Sequence, residues 1–319
     1  MMLYRGLKVA LIVPCYNEEA AIAQVITGFR KAMPAIDIFI FDNNSSDNSV
    51  AIARAEGAHV VSVLLRGKGN VVRRMFADVD ADVFVMVDGD ATYDCKSVTA
   101  MVDKLIDERL DMVVGCRETS QSEMNDAYRR GHQWGNRALT GSVASIFGGS
   151  FTDMLSGYRV FTRRYAKSFP ALSKGFEIET ELTVHALELR MPCGEVITSY
   201  GSRPEGSTSK LSTYRDGWRI LKTIAKLYIS ERPFAFYGIC AALIAFIALL
   251  LSVPLIFEYL ESGLVPRFPT AILSASMMVC ALLSLCCGLI LDNVTRGRHE
   301  MKRLSYLAIP LPIPSEKNS

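Results

Sequence analysis

The sequence has little net charge to offer a polyanion. Its 35 Lys and Arg residues stand against 33 Asp and Glu in 319 residues, a formal charge of +2. A whole-chain nucleic-acid binder is usually far more basic, so nucleic acid is not an expected partner. Eight cysteines form no CxxC pair and no metal-ligand spacing, and the four histidines share none either. Buried reduced thiols in a cytosol-facing chain are expected rather than a disulfide framework. GxGxxG and GxxxxGK[ST] are both missing, which removes the nicotinamide and P-loop nucleotide classes. The first seven residues hold no apolar run long enough for a secretory signal. Half the residues are apolar and only 21% are charged, which excludes a disordered chain.

Charge is absent altogether from two stretches, residues 234–257 and 268–291. Each would extend about 36 Å as a helix, enough for a hydrocarbon core of about 30 Å. Only residues 258–267 join them, so they are expected to form a transmembrane hairpin with both flanks on one side. Pro254 is expected to kink or tilt the first span. Arg219, Lys222, Lys226 and Arg232 precede the hairpin, and Arg296, Arg298, Lys302 and Arg303 follow it. The positive-inside rule places these flanks, and everything N-terminal, in the cytoplasm. Residues 213–233 set Arg215, Arg219, Lys222 and Lys226 on one helical face beside an apolar stripe. That pattern suits an interfacial helix on the lipid bilayer, or an amphipathic helix packed on the soluble domain. The expected division is a catalytic domain at 1–212, an interfacial helix at 213–233, a hairpin at 234–291 and a basic cytoplasmic tail at 292–319.

The N-terminal two hundred residues alternate short β-branched runs (8–14, 37–42, 59–63, 82–88 and 111–116) with helical stretches. This predicts an α/β fold, a mostly parallel sheet with helices on both faces and ligands outside the carboxyl ends of the strands. The first run ends in Pro14, Cys15, Tyr16, Asn17 and Glu18, a turn whose tyrosine can hold a planar base. The second ends in Asp42 and Asn43, where a carboxylate or amide can meet a base edge, or the polar run can simply cap a helix. The fourth delivers Asp88, Gly89 and Asp90 from a buried strand. Two carboxylates about one small residue suit a hard divalent ion bridging phosphates. Arg66, Gly67, Lys68 and Gly69 open a helix and either present N–H groups to an anion or form a surface turn. Glu177, Glu179 and Glu181 either reach the same region or serve as caps and solvated acids.

VPCYNEE at 13–19, DNNSSD at 42–47, DGD at 88–90, GCR at 115–117, TDMLSGYR at 152–159 and RPEGSTSKL at 203–211 together resemble glycosyltransferase family 2. They are most similar to its polyprenyl-phosphate branch, the dolichyl-phosphate mannose synthases and bacterial undecaprenyl-phosphate glucosyltransferases. The resemblance implies a GT-A (Rossmann-like) nucleotide-sugar domain, a nucleotide-sugar donor, a polyprenyl (undecaprenyl) phosphate acceptor and Mg2+ or Mn2+ as cofactor. It implies a homo-oligomer, with a tetramer as one candidate. Carried onto matching positions, it assigns Pro14, Tyr16 and Glu18 to the nucleotide, Asp88 and Asp90 to ribose and metal, and Arg203 and Lys210 to the pyrophosphate. Arg117, Arg130, Ser156 and Arg159 fall on the acceptor-phosphate side. Asn17, Asp42, Asn43, Lys68 and Gly89 complete the expected donor set, and Asp90, Arg117 and Lys210 the expected catalytic set.

Asn43 stands where the family commonly has an aspartate. An amide matches the donor–acceptor edge of uracil, whereas guanine's two donors suit a carboxylate. The sequence therefore favours a UDP-sugar such as UDP-glucose, with GDP-mannose as the alternative. The expected reaction is an inverting hexose transfer to the lipid phosphate at the cytoplasmic face of the plasma (inner) membrane. A processive polysaccharide synthase would usually carry QxxRW and more spans. An inactive membrane-anchored nucleotide-binding scaffold is the rival of another class, and a transporter is disfavoured by spans without charge.

Overall fold

The computed structural model describes residues 3–118, 141, 151–175, 177–204 and 213–312, with the backbone alone for 213–220. The chain divides into two compact units, Met1–Lys222 with Lys302–Ser319, and Thr223–Met301.

In the first unit, runs rich in β-branched and aromatic residues form strands because both of their faces can be buried. These are β1 (Val9–Cys15), β2 (Ile36–Asp42), β3 (His59–Ser62), β4 (Val83–Met86), β5 (Met112–Glu118), β6 (Arg159–Thr162) and β7 (Cys193–Ser199). Among the described residues they form one sheet in the order β3-β2-β1-β4-β6-β5-β7, parallel except for β6. β6 and β7 add to the five strands expected from sequence. β6 is four buried residues, too short to display a period.

Helices α1 (Ile22–Ala32), α2 (Ser49–Ala55), α3 (Lys68–Asp78), α4 (Val98–Asp107), α5 (Arg163–Ser168) and α6 (Ile178–Glu188) connect the strands. Strand alternation divides the core between the two faces of the sheet. Leu11, Val13 and Val85 pack with Ile26, Phe29 and Leu105 on one side. Ile12, Phe84 and Met86 pack with Met75, Phe76 and Leu182 on the other.

The strand order reverses direction at β1, which pairs with β2 on one side and β4 on the other. A crevice therefore opens at the carboxyl ends of β1 and β4, the switch point where such sheets take ligands. β6 runs the opposite way and pairs Arg159 with Met86. Its reversal brings the preceding segment, residues 152–158, to the same edge.

The C-terminal helices run past their apolar stretches. α7 (Thr213–Glu231) is followed by α8 (Pro233–Ser262) and α9 (Phe268–Leu307). The last two are long and apolar enough to cross a membrane. α8 includes Glu258 and Glu261, and it ends only where Gly263 turns left-handed at φ 68° and donates its N–H to the Tyr259 carbonyl. The first half of the expected joining segment, 258–262 of 258–267, is thus helix. The expected separate tail from residue 292 is a continuation of α9 as far as Leu307, and residues 313–319 lie outside the described residues. Hydropathy marks the part of a helix suited to lipid, while propensity and capping set its end.

Within the second unit, Ala241, Ala248 and Leu255 are buried at seven-residue spacing, as are Ser274, Ala281, Gly288 and Thr295. This is the heptad seam of a close helix pair, and small residues let the backbones approach. The Ser284 hydroxyl donates to the Tyr237 carbonyl at 3.1 Å, and Thr295 to Ser230 at 3.0 Å. Phe246, Leu250, Leu282 and Ile290 are exposed on the outward faces. Such continuous apolar surface associates the chain with a membrane.

In the first unit, fully buried Asp111 accepts from Arg164 Nε at 2.5 Å, Arg164 Nη2 at 2.7 Å and Tyr306 Oη at 2.8 Å. On the same side, His185 of α6 lies buried against Tyr165 and Phe169, within 3.1 Å of Ser168 Oγ. Burial, aided by the charge of Lys302, pushes its pKa down to about 3. The unfolded chain takes up a proton near the usual value of about 6.5, and the folded one does not. Stability is therefore intact above that value and falls as pH drops toward 3, by up to about 1.4 kcal/mol per pH unit. His185→Leu should shrink the loss of melting temperature between pH 7 and pH 4.5. An unchanged loss in scanning calorimetry of the full chain would contradict this.

Candidate active site

A cleft of about 370 Å³ opens at the switch point. Its walls come from the turn after β1, the loop after β4, the start of α3, and the ends of β5 and β7. Among the expected residues, Pro14, Tyr16, Glu18, Asn43, Lys68, Asp88, Gly89, Asp90, Arg117 and Arg203 line it. Lys210 and Arg130 lie outside the described residues.

The acids at its floor are held by cations of the same chain. Lys68 Nζ donates to Asp88 Oδ1 at 2.5 Å and to Glu179 Oε1 at 2.6 Å, and its side chain is 7% exposed. Burial opposes its charge, but the two carboxylates outweigh burial and hold its pKa above the usual lysine value. Arg203 reaches Asp90 Oδ2 through Nε at 2.9 Å and Nη2 at 2.7 Å. The Thr92 hydroxyl donates to Asp90 Oδ1 at 2.6 Å, a local cap after Ala91 turns at φ 56°. Any larger residue at Gly157 would have to displace the Asp88 carboxylate. A Cβ at that position would sit 2.5 Å from Asp88 Oδ2. Its N–H instead donates to the Tyr93 hydroxyl at 2.8 Å.

Asp88 and Asp90 offer only carboxylate oxygens, with a bare backbone against Asp88, a donor set that fits a hard divalent ion. Cys15 also lines the cleft, where burial pushes its thiol up to about 12 and keeps it protonated at neutral pH.

On the far wall, Arg117 forms a fork with Asp153, Nε to Oδ2 and Nη2 to Oδ1, both at 2.7 Å. Its guanidinium lies 5.6 Å from the Tyr200 ring centroid. Thr152 ties this segment to β7 through Glu195, at 2.7 and 2.9 Å. At the mouth, the Arg66 guanidinium stands 5.9 Å from the centroid of Tyr16.

Five expected site residues serve the framework instead. Arg159 is fully buried and donates to the backbone carbonyls of Ser156, Met154 and Glu179 and to the Thr183 hydroxyl. It ties β6 to α6 and does not reach the cleft. Ser156 is equally buried and donates to the Gly115 carbonyl at 2.6 Å. Asn17 is left-handed at φ 53°. It stitches the first turn to the second, taking the Ser46 N–H at 2.8 Å and donating its own N–H to Ser45 Oγ at 2.9 Å. Asp42 is buried and accepts the Ser45 N–H at 3.1 Å.

Asn43 lines the cleft, but its amide is spent on the backbone. Nδ2 donates to the carbonyls of Val63 at 3.0 Å and Leu65 at 2.8 Å, and Oδ1 accepts the Gly67 N–H at 2.7 Å. It shapes the loop that enters α3 and leaves no amide edge to distinguish uracil from guanine. Gly67, at φ 117°, and Gly69 serve close packing rather than anion capture. A Cβ on Gly67 would lie 2.1 Å from the Lys174 carbonyl, and the Gly69 N–H donates to that same oxygen.

Of the three glutamates, Glu179 enters the cleft. Glu181 accepts the Leu172 and Ser173 N–H groups, both at 2.8 Å. Arg66, Tyr93, Leu155 and Tyr200 also line the cleft. Arg66 and Leu155 lie inside quoted motifs without being among the expected site residues, and Tyr93 and Tyr200 belong to no motif. Tyr200 is bracketed only by β7, whose existence was not expected.

Asn43→Asp should lower stability by about 2 kcal/mol, because a carboxylate would face two carbonyls and leave them without donors. The ratio of UDP to GDP affinity should stay as in the parent chain. A switch toward GDP, read by calorimetric titration, would restore base reading to this position.

Residues 10–169 match Glycosyl transferase family 2. Glycosyltransferase AglJ of Haloferax volcanii is 36% identical over 231 residues, 72% of this chain and 75% of the relative. Dolichyl-phosphate hexose transferase of the same organism is 26% identical over 223 residues, 70% of this chain and 95% of the relative. Among solved structures, glucosyl-3-phosphoglycerate synthase from Mycobacterium tuberculosis, in complex with Mn2+, uridine-diphosphate-glucose and phosphoglyceric acid, superposes with a TM-score of 0.55. That match has 21% identity and covers 70% of this chain and 80% of the other. The cleft at the sheet's switch point thus sits on a GT-A-like fold, and the chain belongs to glycosyl transferase family 2.

Proposed function

We propose that this enzyme moves a hexose from a nucleoside-diphosphate sugar, with UDP-sugars favoured, to a polyprenyl phosphate at the cytoplasmic face of the plasma membrane. The observation that carries the proposal is the pair Asp88 and Asp90 at the cleft floor, in a chain that also bears two membrane-length helices. The dolichyl-phosphate hexose transferase relative supports the lipid acceptor. The UDP-glucose held by the solved fold neighbour supports the donor, since the Asn43 amide no longer does. The basic flanks of the two spans support the cytoplasmic side.

Asp88 and Asp90 would hold Mg2+ or Mn2+, which when bound supplies charge neutralisation at the departing diphosphate. Lys68 and Arg203 add cations on either side of that pair. Arg117, oriented by its fork with Asp153, suits the acceptor phosphate on the opposite wall. A phosphate monoester is already anionic at neutral pH, so one of its oxygens can attack the anomeric carbon without a strong base. The new C–O bond forms as the bond from that carbon to the diphosphate oxygen breaks, and in-line attack inverts the centre. The protein's share is positioning and charge stabilisation. A lipid acceptor keeps its tail in the bilayer, which gives the two long helices a purpose that a water-soluble acceptor does not.

Purified full-length protein in detergent, incubated with undecaprenyl phosphate and a panel of nucleotide sugars, should yield one hexosyl lipid by mass spectrometry. Asp90→Asn should cut transfer by about 100-fold or more. Release of free hexose alone, or no lipid product with any donor, would overturn the acceptor assignment. Loss of all metal-dependent nucleotide binding would favour an inactive scaffold.

A further inference from the structure

Each of the two carboxylates suited to the metal is already engaged by an internal cation, Asp88 by Lys68 and Asp90 by Arg203. These are half-enclosed pairs. One member of each is nearly buried, Lys68 at 7% and Asp90 at 8% exposed, while Asp88 and Arg203 open to the cleft at 29% and 26%, so water screens the pairs only in part. Glu179 holds Lys68 from the other side at 2.6 Å, so the ammonium bridges two anions.

A divalent ion arriving alone would have to share Asp88 and Asp90 with two resident cations a few ångströms away. A diphosphate arriving alone would meet those acids without an ion between them. When both arrive, the diphosphate oxygens give Lys68 and Arg203 new anionic partners and the carboxylates turn to the metal. Cation and anion then enter as a nearly neutral pair, the cheaper exchange where the dielectric is low.

We infer that Lys68 and Arg203 act as resident counter-ions of the metal carboxylates, and that this makes metal and nucleoside diphosphate bind as a linked pair. The inference rests on the metal assignment proposed above and adds a positioning role for Lys68, Glu179 and Arg203. Linkage is reciprocal, so the metal tightens the nucleotide by the factor with which the nucleotide tightens the metal.

The test is titration of the full chain in detergent with Mn2+ alone, free Mn2+ being read by electron paramagnetic resonance. Lys68→Met should bind Mn2+ more tightly than the parent chain, by about 5- to 150-fold if the coupling is of ordinary size. Arg203→Met, at the more exposed of the two cations, should do the same and decides the matter if Lys68→Met does not fold. Arg66→Met removes a cation from the same cleft that has no ion pair with either acid among the described residues, and it should shift Mn2+ affinity by no more than about twofold, as a rim charge in water does. Equal or weaker Mn2+ binding by the folded Lys68→Met and Arg203→Met chains overturns the proposal, as does a gain in Arg66→Met as large as theirs.

A second arm adds UDP or GDP. The parent chain should gain Mn2+ affinity with at least one of them, and Lys68→Met should gain less. No gain with either nucleotide also overturns the linkage. Intact linkage without hexosyl lipid in the transfer assay would strike only at the acceptor assignment.

Discussion

Two carboxylates delivered by a buried strand to the open edge of a sheet set the terms for the rest of this molecule. β4 can carry Asp88 and Asp90 there because Val83 to Met86 are buried on both faces and continue the sheet without polar interruption. The acids then need compensation, since a low-dielectric cleft penalises bare charge. Among the described residues the chain supplies it twice, from the first turn of α3 through Lys68 and from the segment after β7 through Arg203. Neither cation is near Asp88 in sequence. The 20 residues between Lys68 and Asp88, and the 113 between Asp90 and Arg203, are closed only by the folded sheet.

Much of the surrounding polar chemistry holds loops rather than ligands. Asn43 pins residues 63–67, Asn17 joins the first turn to the second, and Arg159 gathers backbone carbonyls beneath the loop that carries Asp153. A buried guanidinium with five donors is well suited to such a task, because loop carbonyls at a sheet edge have no ladder to satisfy them. The same loops give the cleft its walls, so these residues act on the site through the backbone they fix. Gly157 shows how close that fit is, since one added carbon would have to push the Asp88 carboxylate aside.

The paired C-terminal helices obey a different solvent. Their contact surface is small and weakly polar, with Ala241, Ala248, Ala281 and Gly288 at heptad spacing, and their outer surface is large and apolar. In water the preference would be reversed, with the bulky apolar groups turned inward. This inversion supports a bilayer more directly than length alone does, since a buried core helix could match the length but would not leave its largest side chains exposed.

The sequence by itself determined the class of the fold, the two apolar spans and the places where chemistry gathers. Those rest on local patterns: a period of two or of 3.6, the absence of charge over a bilayer's thickness, and short polar motifs directly after strands. It also brought Asp88, Asp90 and Arg203 into view, because their motifs are contiguous. Only the tertiary structure decided which polar side chains face the cleft and which are consumed inside. Arg159 and Asn43 look like ligand residues when read along the chain, yet their donors end on carbonyls supplied by segments about 20 residues away or less. Glu179 looked no different from its neighbours Glu177 and Glu181 until helix α6 turned it toward Lys68, 111 residues back. Hydrogen-bond partners belong to space rather than to sequence, so a motif can announce that a polar group matters without saying what it touches.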